Sequence, residues 1–118
     1  MDYLVQMTLA DSARSRTLEE GRALMEQYII PSLELCRKLA GEGKIVAGGP
    51  ISAAIALALV VRVDTVQELD DVLEGLPIWP WMETKVTPLT SFEGRIATLA
   101  PRLARIKARL AAGPTALG

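Results

Sequence analysis

The sequence predicts a single α+β domain of ferredoxin-like topology: a four-stranded antiparallel sheet with helices on one face, followed by a C-terminal helix. Three observations carry that prediction. Alternating apolar and polar segments stand near residues 3–9 and 81–89, a long amphipathic segment follows the first of them, and a β-branched stretch precedes a second, shorter amphipathic segment. The resulting order of strand, helix, strand, strand, helix, strand is a split βαβ arrangement. A chain of 118 residues, 50% hydrophobic and 23% charged, can bury one core but not two.

The first strand is read from Tyr3, Val5, Met7 and Leu9, which alternate with Gln6 and Thr8. Asp11 to Arg16 is polar and turn-like. Thr17 followed by Glu20 has the form of a capping box, so a helix begins near Leu18. Wound at helical periodicity, residues 18–40 place Leu18, Gly21, Leu24, Met25, Tyr28, Ile29, Ser32, Leu35, Cys36 and Leu39 within an arc of about 140°. That arc is the expected inward face. Pro31 lies inside the pattern without breaking its phase, which predicts a kink, and Gly41 and Gly43 end the helix.

Lys44 to Ala47 and Ala54 to Val63 are expected to be the second and third strands, with Gly48-Gly49-Pro50 turning the chain between them. Asp64-Thr65 caps a short helix with Val66, Leu69, Val72 and Leu73 inward and Gly75 at its end. Leu76 to Pro80 is too rich in proline for regular structure, and Trp81 to Leu89 alternates as the fourth strand. A sheet with helices on one face leaves its other face for water or another subunit, and the apolar third strand favours a subunit. Residues 1–91 are therefore the domain and residues 92–118 a helical extension. In the extension Ile96, Leu99, Leu103, Ile106 and Leu110 repeat like a narrow seam, Pro101 interrupts the run, and residues 111–118 are expected to fray.

Several functions are excluded by composition. Cys36 is the only cysteine and histidine is absent. That removes an intramolecular disulfide, most zinc sites, and Ser-His or Cys-His nucleophiles. No metal site and no cofactor are expected. The longest apolar stretch, Ile45 to Val61, contains Gly48-Gly49-Pro50 and is followed by Arg62, so it is not a membrane span. No leader is visible at the N-terminus, and the cytoplasm is the expected compartment. Residues 1–93 hold eight Lys/Arg against fourteen Asp/Glu, while residues 94–118 hold five Lys/Arg and no acid. A basic helix can contact nucleic acid, but here a packing or oligomer-forming arm is the expectation and nucleic acid is not.

One segment carries a family resemblance. Leu76-Pro77, Ile78, Trp79-Pro80-Trp81-Met82 and Val86-Thr87-Pro88-Leu89 resemble the C-terminal signature of muconolactone isomerases, with Val63, Glu68-Leu69 and Glu34-Leu35-Cys36-Arg37 fitting more loosely. The resemblance covers residues 3–90. It implies a dimeric α/β barrel, often in larger rings, and cofactor-free proton transfer on a small lactone carboxylate. Isomerases of that family carry a Lys and a Glu three residues apart on the first helix, and the matching positions here are Met25 and Tyr28. Their Asn, Tyr and Ser on the third strand correspond to Leu57, Ala58 and Leu59, and their His-Pro-Ser ending is replaced by the basic helix.

The candidate catalytic residues are Tyr28 and Arg22, with Met25, Ser32, Trp79, Trp81 and Arg62 as candidate substrate contacts. Tyr28 and Ser32 are the hydroxyls of the inward arc, one turn apart, with Arg22 at its margin as an anion contact. Trp79 and Trp81 flank Pro80 and could roof a pocket. Arg62 is a lone charge between Val61 and Val63. Glu83 and Lys85 share one face of the fourth strand as a surface or interface pair. The expected function is a cofactor-independent isomerase or lyase acting on a small lactone or aromatic-catabolism intermediate. A non-catalytic small-molecule-binding or assembly protein on the same fold is the alternative. A small-molecule ligand and a homodimer or larger homo-oligomer are the expected partners.

Overall fold

The computed structural model of the chain describes residues 1–113. Strands β1 (Asp2–Leu9), β2 (Ile45–Pro50), β3 (Ala56–Arg62) and β4 (Met82–Leu89) form one antiparallel sheet in the order β2-β3-β1-β4. Helices α1 (Leu18–Leu24), α2 (Ile30–Gly41) and α3 (Val66–Glu74) accompany it, and α4 (Phe92–Ala112) follows. The α+β prediction and its element order hold. The end of the chain expected to fray lies outside the described residues from 114 onward.

Register explains the core. β1 sits between β3 and β4, pairing Val5 with both Leu59 and Val86, and Met7 with both Leu57 and Thr84. Paired residues share a face, so Tyr3, Val5, Met7 and Leu9 join Leu57, Leu59 and Val61 on one side. These side chains are buried with Cys36 and Leu39 of α2, Leu69 and Leu73 of α3, and Leu76 and Ile78 beyond it. Thr65 caps α3 by accepting from the Glu68 backbone N–H at 3.1 Å, as its sequence position predicts. Val66, expected inward, is exposed, because it stands in the first turn of α3 where the helix has not yet reached the sheet.

The hairpin departs from expectation. Gly48-Gly49-Pro50 does not turn the chain; these residues belong to β2 and pair with Leu59, Ala58 and Leu57, and the connection is made by residues 51–55. The register shifts between Ile45 and Ala47, and Gly48 adopts φ +95° beyond this bulge. The glycines permit an irregular edge strand and do not make a turn.

The opposite face of the sheet carries Asp2, Leu4, Gln6 and Thr8 beside Arg62, Val60 and Ala58 on one side and Thr87, Lys85 and Glu83 on the other. Arg62 is tied to Asp2 by bonds of 2.9 and 3.1 Å across the β1–β3 ladder. The bond from Arg62 holds the Asp2 carboxyl below its ordinary value of 3.8. The pair therefore stabilises the fold fully above that value, and the contribution fades as pH falls through the lowered one. Thermal melts of Asp2→Asn beside the native chain are expected to show a lower Tm at neutral pH and no difference once the solution is acidic enough to protonate Asp2. The effect is small, since the pair is largely solvated.

Candidate functional site: a cleft at the end of β1

The helical run from Leu18 to Gly41 is continuous, but residues Met25–Ile29 form a π turn, in which the Ile30 N–H reaches the Met25 carbonyl. Its cause is local. Pro31 has no N–H to offer to the Gln27 carbonyl, and one residue on the Ser32 hydroxyl donates to the Tyr28 carbonyl at 2.6 Å. The kink predicted at Pro31 is thus taken up as a π turn, a feature that is frequent where helices carry function.

That turn sets Tyr28 against Trp81, with ring centroids 4.2 Å apart and planes tilted by 47°. Trp81 lies in the 3-10 turn Trp79–Trp81, whose end is fastened to β1: the Ala10 N–H donates to the Trp81 carbonyl at 2.9 Å. Facing the aromatic pair is the loop after β1, Asp11 to Thr17. Between them opens a cleft of about 620 Å³ lined by Ser12, Arg14, Ser15, Arg16, Glu20, Tyr28 and Trp81, among others. Arg14 and Ser15 also line an adjoining groove of about 700 Å³ that runs toward Ala53 to Ile55.

The cleft is rich in donors. Arg14 contacts Asp11 at 3.3 Å with both side chains well exposed, and Arg16 makes no ion pair among the described residues. One Glu20 oxygen accepts from the Arg16 backbone N–H at 2.7 Å, and the Thr17 hydroxyl accepts from the Glu20 N–H, so the capping box fixes the carboxylate at the rim. Two guanidinium groups, two serine hydroxyls, a phenol and a carboxylate beside an indole are a suitable set for a small planar anion.

Of the residues expected at a site, the structure brings Tyr28 and Trp81 together and separates the others. Ser32 is fully buried; besides donating to Tyr28 it accepts from the Ile78 N–H at 2.9 Å, and so clamps α2 to the connector. It borders a different, apolar cavity of about 110 Å³ with Ile29, Leu57, Ile78 and Met82. Arg22, expected at the pocket margin, instead faces solvent, held by Glu19 and, at 2.8 Å, by Glu26. Met25 is half exposed on the outside of the π turn, and Trp79 packs against the core. Arg62 is engaged with Asp2 on the far face of the sheet. Burial pushes the Cys36 thiol up, which keeps it protonated. Among the described residues no group of three or more His, Cys, Asp or Glu could hold a metal ion. No helix among them is long and apolar enough to cross a membrane.

Sequence reasoning read the segment of Arg14 and Arg16 as a polar turn and Glu20 as the carboxylate of a capping box, and assigned none of the three to a site. A signal was present. Two arginines just ahead of a helix N-terminus oppose its dipole, so their position does not serve the helix.

The sheet order and the one-sided helices define an α+β protein of ferredoxin-like topology with a cleft at the end of β1. The family model for muconolactone delta-isomerase matches residues 1–94, and the chain belongs to the muconolactone isomerase family. Among solved structures, a crystal structure of muconolactone isomerase is similar, with 26% sequence identity and a TM-score of 0.62 over 77% of this chain and 90% of that one. No curated protein sequence matches the chain. The family match ends at residue 94, inside the first turn of α4.

Proposed function

We propose that the chain is an isomerase of a small unsaturated lactone carboxylate that works in the cleft between the β1–α1 loop and the Tyr28–Trp81 pair. The observation that carries this reading is the placement of Arg14 and Arg16 beside Glu20 and Tyr28 within one opening. Moving a carbon–carbon double bond within a lactone is redox-neutral: one proton leaves one carbon and one returns to another. In this reading the arginines hold the substrate carboxylate, and the free oxygen of Glu20 takes and returns the proton. The Tyr28 hydroxyl donates to the lactone carbonyl as it gathers charge, with Trp81 covering the ring. Tyr28 thus keeps a catalytic role, while the anion contact passes from Arg22 to Arg14 and Arg16.

The open sheet face, which mixes Leu4, Val60 and Ala58 with polar neighbours, suits pairing with a second copy. A single buried cysteine suits a reducing compartment such as the cytoplasm.

An ultraviolet assay with muconolactone tests the proposal. Native protein is expected to turn the lactone over, Glu20→Gln and Tyr28→Phe to lower kcat by about 10²-fold or more, and Arg14→Gln/Arg16→Gln to raise KM by about 10- to 100-fold. Arg22→Gln should behave as native. Saturable binding of the lactone without turnover would replace the isomerase with a non-catalytic binder, a reading favoured by the engagement of one Glu20 oxygen in the helix cap.

A further inference from the structure

α4 is the element that the rest of the molecule leaves uncovered. Phe92, Ile96, Leu99, Leu103, Ile106 and Leu110 recur at alternating steps of four and three residues, the spacing of a coiled-coil seam. All six face solvent, from 42% to 88% exposed. The helix begins two residues after β4 and runs for about 31 Å, and the molecule is 72 Å long with a radius of gyration of 21.2 Å. A compact chain of this length would have a radius of about 13 Å. Of the two roles expected for this arm, packing or oligomer formation, packing on its own body does not occur among the described residues.

Charge identifies what covers the seam. Arg95, Arg102 and Arg109 recur every seven residues along one flank, Lys107 stands on the other, and no acid occurs from Gly94 to Gly113. Two α4 helices packed antiparallel would set the arginine rows against each other, and a parallel pair would set Arg102 against Lys107. A partner with acidic groups is needed, and the body of this chain provides it. Asp64, Glu68, Asp70, Asp71 and Glu74 cluster on and beside α3, with no Lys or Arg between Val63 and Thr84. Val66 adds an apolar contact there, 61% exposed.

We propose that α4 of one copy docks on the α3 surface of a second copy, its seam over Val66 and its arginines against Asp70, Asp71 and Glu74. The exchange is reciprocal, as a twofold dimer requires. It is independent of the proposed isomerase activity.

Oxidative cross-linking of mixed full-length chains tests it. One copy carries Leu103→Cys and the other Val66→Cys, both surface changes, while native Cys36 stays buried. The mixture is expected to yield a cross-linked heterodimer. Arg102→Glu/Arg109→Glu on the first copy should cut the yield by about tenfold, and Asp70→Lys/Asp71→Lys on the second should restore it. The proposal is overturned if Leu103→Cys chains link chiefly to each other, or if charge reversal leaves the yield unchanged. It is equally overturned if no mixed product forms, including the case where α4 instead carries the chain onto phosphatidylserine vesicles.

Discussion

Replacing Gly48 with alanine is expected to destabilise the chain by roughly 3 kcal/mol or more. Two costs combine at this residue. Its φ of +95° lies where a side chain is strained, and a Cβ there would stand 2.0 Å from the Ala58 carbonyl oxygen and 2.9 Å from Leu59 Cα. Both are backbone atoms of β3, so no side-chain rotation relieves the contact; β2 must separate from β3 or lose its bulge. Gly49→Ala is the control. Nothing stands within 4 Å of its Cβ position and its φ is not positive. Urea unfolding of the two variants should therefore give a large fall in midpoint for Gly48→Ala and a minor one for Gly49→Ala. Equal midpoints would show that the β2–β3 approach is looser than described.

Leu76→Ala should cost about 2–5 kcal/mol, the usual range for emptying a buried leucine site. Leu76 is 1% exposed although it lies in a connector, and its N–H donates to the Leu73 carbonyl while its own carbonyl accepts from Trp79. The side chain is thus held in the core by backbone bonds on both sides, and the surroundings cannot close over the space it leaves. Thermal unfolding is the measurement, with Leu76→Met expected to stay within about 1.5 kcal/mol of native. The Leu76–Trp81 signature segment then has two functions within six residues: Leu76 and Ile78 seal the core, and Trp81 lines the cleft.

How far the sequence revealed this depends on the period of each signal. The alternation at Tyr3–Leu9 and the caps at Thr17 and Thr65 were legible, since each is set by neighbours two to four residues away. Gly48-Gly49-Pro50 was misleading because glycine and proline suit both a turn and a bulged edge strand, and only the approach of Ala58 across the ladder distinguishes them. Leu18, at 95% exposed, was assigned inward because periodicity reports a helix face and not where along its length the helix meets the sheet.

At the site, the Tyr28–Trp81 partnership was half visible, Tyr28 as a candidate catalytic hydroxyl and Trp81 as a candidate roof. Ser32 was placed with Tyr28 because helical winding assumes a uniform turn, whereas the π turn intervenes. Arg14 and Arg16 gain their meaning from a cleft that Trp81, more than sixty residues away, closes together with Tyr28, which no local pattern encodes.

The bond from Ala10 to Trp81 has a consequence for assembly of the molecule in time. One side of the cleft comes from the loop after β1, and the other joins Tyr28 of the first helical run to Trp81 of the connector into β4, so the opening is complete only when β4 has aligned along β1, a closure across most of the domain. Contacts of such sequence separation are costly to close and form slowly. Under the proposed function, ligand affinity would report completion of the sheet, and a molecule held in the cleft would stabilise the β1–β4 pairing by mass action.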